Sequence, residues 1–245
     1  MDKITVLCDH NMENLKNNHY PGRGIVLGMT PDGQHLVQVY WIMGRSVNSR
    51  NRIFTVENGF VKTKAFDEAK VEDPSLIIYY PARHYRNAHI ITNGDQTDTV
   101  FEALQNGGSF ESALTTRTFE PDAPNFTPRI SGIIDLDRAQ YAYQLAIVKT
   151  TIGNQPDYST HQFFNYDHAL AGVGHCLHTY AGDDNPLPAF SGEPYPIRLF
   201  NTVAETAACY WSLLNPENKI ALLVKYINIT AKTVELTILN KHLGD

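Results

Sequence analysis

The stretch RIFTVENGFVKTKAF, residues 52–66, decides the fold class. Two strand-like runs flank Asn58-Gly59, and an Asn-Gly pair in this position is the strongest short signal for a β-hairpin. Residues 24–43 have the same plan, because TPDG at 30–33 separates two apolar runs and has proline at its second turn position. Strands joined by such short turns pair antiparallel, so the sequence predicts antiparallel sheets.

The other apolar runs predict further strands and few helices. A capping-box pattern, with Thr202 and Glu205 three residues apart, marks the start of one helix, and Ser109 is a suitable N-cap for another. Expected helices are 98–108, 109–119 and 201–215; expected strands are 75–80, 87–92, 129–137, 141–151, 161–167, 174–182, 219–230 and 232–240. Hairpins without alternating βαβ units predict an α+β protein with layered, mainly antiparallel sheets.

The chain is compatible with a single domain over residues 1–245. Residues 1–18 are polar after a brief apolar start, and we expect an N-terminal arm there. Residues 183–196 are rich in proline and glycine, which predicts a surface loop. The sequence does not decide whether the chain forms a homo-oligomer, and the aromatic segment 141–143 can lie either in an interface or in the core.

Composition narrows the class of protein. The net charge of −6 argues against affinity for nucleic acid or for an anionic membrane. No apolar stretch approaches the roughly 20 residues that span a bilayer, and the N-terminus lacks the form of a signal peptide. Three cysteines without a CxxC pair suit a reducing compartment. We therefore expect a cytoplasmic protein.

A basic loop lies between two of the expected strands. Within WIMGRSVNSRNRIF, residues 41–54, Arg45, Arg50 and Arg52 alternate with serines and asparagines. Guanidinium groups with small polar side chains form cradles for phosphate or carboxylate, and three like charges in one loop repel unless an anion neutralises them. The loop predicts a site for a phosphorylated small molecule; the alternative is a set of solvated strand ends.

Candidates for proton transfer also lie on loops. Glu120, just before Pro121, can move protons if burial raises its pKa. Tyr79 and Tyr80 end an apolar run, and alternation sends one to each face. Known phosphate-loop motifs are absent from the sequence. His175 and His178 fall on opposite faces of a strand and lack zinc-site spacing, so no metal site is expected.

These loop segments resemble the archaeal-type IMP cyclohydrolase family. The resemblance rests on Tyr20-x-Gly22-Arg23, Arg45-Ser46 with Ser49-Arg50-Asn51-Arg52, Asn93-Gly94 followed by Thr97-Asp98, Glu120 and Asn125 with Thr127-Pro128-Arg129-Ile130, and Thr179-Tyr180. It implies a four-layer αββα sandwich similar to the N-terminal-nucleophile hydrolases. It also implies closure of the purine ring of 5-formamidoimidazole-4-carboxamide ribonucleotide to inosine monophosphate (IMP) and water, in purine biosynthesis, without cofactor or metal.

The resemblance, together with the loop chemistry, suggests roles for individual residues. Glu120 would move protons, and Tyr79 or Tyr80 would polarise the formyl oxygen. Arg52 is expected to be structural, since it opens a strand. The residues expected to bind the substrate are Arg23, Arg45, Ser46, Ser49, Arg50, Asn93, Asn125, Thr127 and Arg129. Two alternatives stay open: an amide hydrolase on the same fold, or a non-catalytic module that binds purine nucleotides.

Overall fold

The computed structural model describes residues 3–71, 74, 77–138, 140–151 and 157–244, and its strands form two antiparallel sheets. The first sheet has the order β11 (Tyr195–Arg198), β10 (Val173–His178), β1 (Gly24–Met29), β2 (His35–Met43), β12 (Lys219–Asn228) and β13 (Val234–Asn240). The second has the order β3 (Arg52–Glu57), β4 (Phe60–Ala65), β5 (Ala82–Tyr85), β6 (Ala88–Thr92), β7 (Arg129–Asp135), β8 (Tyr143–Thr150) and β9 (Ser159–Tyr166).

Helices cover the outer face of each sheet. Helices α1 (Lys3–Asn17) and α5 (Val203–Leu213) lie on the first sheet, and α3 (Gln96–Gln105) and α4 (Phe110–Leu114) lie on the second. The short helix α2 (Val47–Arg50) joins β2 to β3. The predicted α+β class and its layering, two sheets between helical layers, are confirmed. The similarity to N-terminal-nucleophile hydrolases and the single domain stay predictions.

The main apolar core lies between the two sheets. Ile25 and Leu27 of β1 belong to it, whereas Val26 packs with the helices on the outer face. This alternation follows from the period of two along a strand, which sends successive side chains to opposite faces. Burying a side chain such as Leu27 stabilises the folded chain by about 1.5–3 kcal/mol. The core therefore holds the two sheets, and the loops at their ends, in fixed positions.

The predicted turns and caps are confirmed. In the β3–β4 hairpin Asn58 has φ 52° and Gly59 φ 80°, the positive values that a type I′ turn requires. Thr202 and Glu205 form the capping box of α5, and the side chain of Ser109 caps α4.

Two expected segments differ from the structure. The N-terminal arm is the helix α1, whose buried residues Cys8, Asn11 and Leu15 recur at helical spacing. The strand expected at 75–80 is wrong over residues 77–80, which are turn and loop, and the strand is instead 82–85. Residues 75 and 76 lie outside the described residues. Within the described ranges, no helix is both long enough and apolar enough to cross a membrane.

Candidate active site

Two buried arginines, one from each sheet, lie close together at one end of the sandwich. Arg23 directly precedes β1, and Arg52 is the first residue of β3. Arg23 is 9% exposed and Arg52 is fully buried. Burial lowers the pKa of Arg52, and the nearby charge of Arg23 lowers it further. Two like charges in a buried position need anionic partners, so this pair is a candidate binding site for negative charge.

Arg52 keeps most of its hydrogen-bonding capacity unused. Its Nε donates to the carbonyl oxygen of Ser49 at 2.8 Å. Nη1 and Nη2 are buried and have no partner among the described residues, and the same holds for Nε of Arg23. Buried donors without acceptors are costly, which favours a bound ligand that supplies them.

Glu120 is the acidic group beside these arginines. Its carboxylate is 2% exposed, and Oε2 lies 3.7 Å from Nη2 of Arg23. Burial raises the pKa of Glu120 to about 7, although the charges of Arg23 and Arg129 oppose the shift. A carboxyl group with this pKa is present in both protonation states near neutral pH and can accept and return a proton.

Four tyrosines surround the charged groups. The hydroxyls of Tyr40 and Tyr79 are hydrogen-bonded at 2.7 Å, and burial keeps the pKa of each above its ordinary value, so both remain donors at neutral pH. Tyr20 and Tyr180 stack with ring centroids 5.9 Å apart. We call Arg23, Arg52, Glu120 and these four tyrosines the buried cluster.

Gly22 allows the loop before Arg23 to lie against the strand end that carries Tyr180. Its φ of +75° suits glycine, and a Cβ there would lie 2.2 Å from Oγ1 of Thr179. The same Oγ1 accepts a hydrogen bond from the backbone N–H of Arg23 at 3.1 Å. Gly22 therefore fixes the position from which the Arg23 side chain enters the buried cluster.

The other residues of the basic loop use most of their polar groups on one another or on nearby loops. Ser46 and Ser49 cap α2 reciprocally. Arg50 is exposed and donates to Gly44 O at 2.9 Å and to Oδ1 of Asn218 at 3.0 Å. Arg45 forms an ion pair with Asp183 near the surface and lies over the ring of Tyr20, which places it at the rim of the buried cluster.

The remaining predicted binding residues connect loops. The amide of Asn93 bonds to Pro128 O, Gln96 and the N–H of Ile130. Asn125 accepts from the N–H of Leu187 at 3.0 Å. Thr127 joins the hydroxyl of Tyr180 to the carboxylate of Asp122. The guanidinium of Arg129 bonds to Thr118 O, Asp95 and Gln96.

The structure also separates the two candidate tyrosines. Tyr79 faces the buried cluster, whereas Tyr80 packs on Phe60 with the cationic groups of Lys62 and Arg83 over its ring. Sequence reasoning missed Tyr40 and assigned Arg52 a structural role. A signal for Arg52 was present, because it lies two residues before the buried Phe54 and so shares its inward face.

The two histidines of β10 lie on opposite faces of the strand. His175 bonds to the hydroxyl of Tyr143 in the second sheet, whereas His178 packs on Phe190 and Tyr195 on the other face, as the alternation predicts. Among the residues with described positions, no group of three or more potential ligands could hold a metal ion.

Comparisons with known proteins identify the family of this chain. A family model described as IMP cyclohydrolase-like protein matches residues 20–232. A relative named IMP cyclohydrolase, from Methanopyrus kandleri, is 32% identical over 120 residues. That alignment covers 47% of this chain and 59% of the length of the relative. Because the family model covers most of the chain, the protein belongs to the IMP cyclohydrolase-like family.

Proposed function

We propose that the protein closes the purine ring of 5-formamidoimidazole-4-carboxamide ribonucleotide to give IMP and water. The observation that carries the proposal is the buried Glu120 carboxylate beside Arg23 and Arg52, whose donors are partly unused, in a chain of this family. The name of the Methanopyrus kandleri relative supports the same reaction. The substrate is then a purine ribonucleotide, and the enzyme is an IMP cyclohydrolase.

The first step joins the carboxamide nitrogen to the formyl carbon. An N–C bond forms, the formyl C=O π bond breaks, and negative charge develops on the oxygen. An amide is a weak nucleophile, so Glu120 accepts its proton as it attacks. The free donors of Arg23 and Arg52 bind the charged oxygen, and the Tyr79 hydroxyl, oriented by Tyr40, donates to it as well.

The second step removes water. The C–O bond breaks as the former formamido nitrogen loses its proton and forms the C=N bond of the ring. The departing oxygen carries two protons, one from each nitrogen, and Glu120 relays both. Because its pKa is raised to about 7 by burial, the group can accept and release a proton at neutral pH without a large energetic penalty.

The phosphate is placed at the rim of the buried cluster. Arg45 lies over Tyr20, and its pair with Asp183 is partly exposed, so it contributes little to stability and can exchange Asp183 for a phosphate oxygen. Arg129 is a positioning residue in this proposal, since its guanidinium group bonds to neighbouring loops. Arg50 is exposed and is assigned no role in the reaction. Tyr80 has no direct role.

The test is a ring-closure assay by ultraviolet absorbance, with wild type and Glu120→Gln. We expect turnover of the variant to fall by about 10²–10⁴-fold, because the proton relay is lost. Its dissociation constant for IMP should change by less than about fivefold, or roughly 1 kcal/mol.

Glu111→Gln is the matched control, because Glu111 is a half-buried carboxylate on α4 that bonds to Gln144. It should keep wild-type turnover. Wild type that binds IMP but does not close the ring would point to the non-catalytic module. Full turnover by Glu120→Gln would refute the proton relay.

A further inference from the structure

A buried pair of basic residues, Lys225 and His89, lies between the sheets and shares no residue with the buried cluster. Lys225 of β12 is 6% exposed, and its Nζ lies 2.9 Å from Nδ1 of His89 on β6. Lys225 faces the second sheet, because Leu223 and Ile227, two residues to either side, belong to the core between the sheets. Gln38, opposite Lys225 on β2, donates to His89 O at 2.9 Å and fixes the histidine backbone.

No acid among the described residues offsets the positive charge that Lys225 carries when its amine is protonated. Within the described part of the chain, no carboxylate forms an ion pair with Lys225, and His89 is the hydrogen-bond partner of its amine. Burial lowers the pKa of Lys225 to about 7, so the buried amine is still partly protonated at neutral pH. His84 and His89 are the titratable groups that face Lys225, and both are bases. A small anion would complete the site.

A cavity of about 100 Å³ reaches the Lys225 side chain. A water molecule occupies roughly 30 Å³ in the liquid, so the cavity has room for a molecule of about three or four non-hydrogen atoms. Three basic residues, Arg83, His84 and Lys225, line the cavity together with aliphatic residues, and Arg83 is already paired with Asp98. The lining residues include Val61, Ala82, His84, Lys225, Val234 and Leu236.

We propose that this cavity binds a small monocarboxylate of the size of acetate. The carboxylate accepts a charge-assisted hydrogen bond from Nζ of Lys225, and the methyl group packs on Val61, Ala82 and Leu236. Chloride or nitrate would satisfy the amine but leave these aliphatic walls against a polar ion. Val234 lines the cavity and is 47% exposed, so we expect the ligand to enter past this residue.

The first test is a saturation-transfer NMR titration with sodium acetate at constant ionic strength. Wild type should show saturable binding, and Lys225→Met should bind acetate at least about tenfold more weakly, because the charge-assisted bond is lost. Lys219→Met is the matched control, since Lys219 is a partly buried lysine at the other end of β12. It should bind acetate as wild type does.

The second test needs only wild-type protein. A bound carboxylate favours the protonated amine, so above the pKa of free Lys225, about 7, binding must take up a proton. The dissociation constant should therefore rise by about 30-fold between pH 6 and pH 8.5. The proposal is overturned if acetate does not bind saturably, if Lys225→Met binds it as well as Lys219→Met, or if binding does not depend on pH.

Discussion

At the scale of single residues, Arg52 and Arg50 differ in burial and in hydrogen bonding although both are arginines. Arg52 is fully buried with two guanidinium nitrogens unpartnered among the described residues, whereas Arg50 is exposed and bonds to Gly44 O and Asn218. Arg52→Lys keeps the charge but removes the fork of donors. We expect kcat/KM for ring closure to fall by about 100-fold, or roughly 3 kcal/mol.

Arg50→Lys is the control for this change, because it makes the same substitution two residues away. We expect it to alter kcat/KM by less than about threefold, since exposed polar contacts contribute little. Steady-state kinetics of both variants decide between the two arginines. A larger loss in Arg50→Lys than in Arg52→Lys would mean that the substrate contacts Arg50 in the exposed loop and not Arg52.

The raised pKa of Glu120 predicts a pH-dependent stability. The folded state holds the proton up to about pH 7, whereas an unfolded glutamate releases it near 4.5. The unfolded state therefore binds fewer protons between these values, and wild type loses stability as pH rises through this window. Glu120→Gln cannot ionise, so between pH 4 and pH 8 it should gain up to roughly 3 kcal/mol of unfolding free energy relative to wild type.

Urea denaturation at the two pH values measures this difference. Glu111→Gln should change in the opposite direction, because hydrogen bonds outweigh burial and hold the pKa of Glu111 below its ordinary value. A relative stability of Glu120→Gln that is the same at both pH values would mean that the carboxyl is not held protonated in the folded chain.

Site residues could be predicted from the sequence only as far as their segments. Three arginines between two strands indicated an anion site, yet which of them faces inward depends on where the strand begins. β3 starts at Arg52, so the alternation buries Arg52 together with Phe54. Arg50 falls in α2 and is exposed. The four-residue helix α2, capped by two serines, therefore leaves Arg50 exposed and Arg52 buried, which the sequence did not predict.

At the scale of elements, the β3–β4 turn can be tested by itself. Gly59 has φ +80° and no atom near the position of a Cβ, so Gly59→Ala adds backbone strain without a clash. We expect a loss of roughly 1–2 kcal/mol in unfolding free energy. Gly182→Ala is the control, because its Cβ also meets open space and its φ is not positive. Equal stability of the two variants by urea denaturation would mean that the turn tolerates a left-handed alanine.

Elements with a local signal were predictable, and those that depend on tertiary contacts were not. Asn58-Gly59 and the capping boxes act through neighbouring atoms, so the sequence suffices for them. Helix α1 has a buried Asn11 between Cys8 and Leu15, which obscures the apolar period. Tyr79 is buried without belonging to a strand, because Thr63 in β4 bonds to its backbone.

At the scale of the whole molecule, the two sheets supply complementary parts of the buried cluster. Arg23 enters from the first sheet, whereas Arg52 and Glu120 come from the second sheet and the loop before β7. The two arginine charges repel across the space between the sheets, and the single carboxylate of Glu120 only partly offsets them. We therefore expect a bound anionic ligand to join the two sheets and to relieve this repulsion.

This arrangement predicts that IMP stabilises both sheets together. At a concentration 100 times its dissociation constant, IMP should raise the unfolding free energy by about 2.7 kcal/mol. Hydrogen exchange should slow in β1 and in β3, because the ligand contacts both Arg23 and Arg52. Arg52→Met should lose most of this added stability, while Arg50→Met should keep it, since the Arg50 side chain is exposed and bonds to neighbouring loops. Protection confined to one sheet would contradict a site between them, because a ligand that contacts only one arginine cannot couple the opening of the other strand.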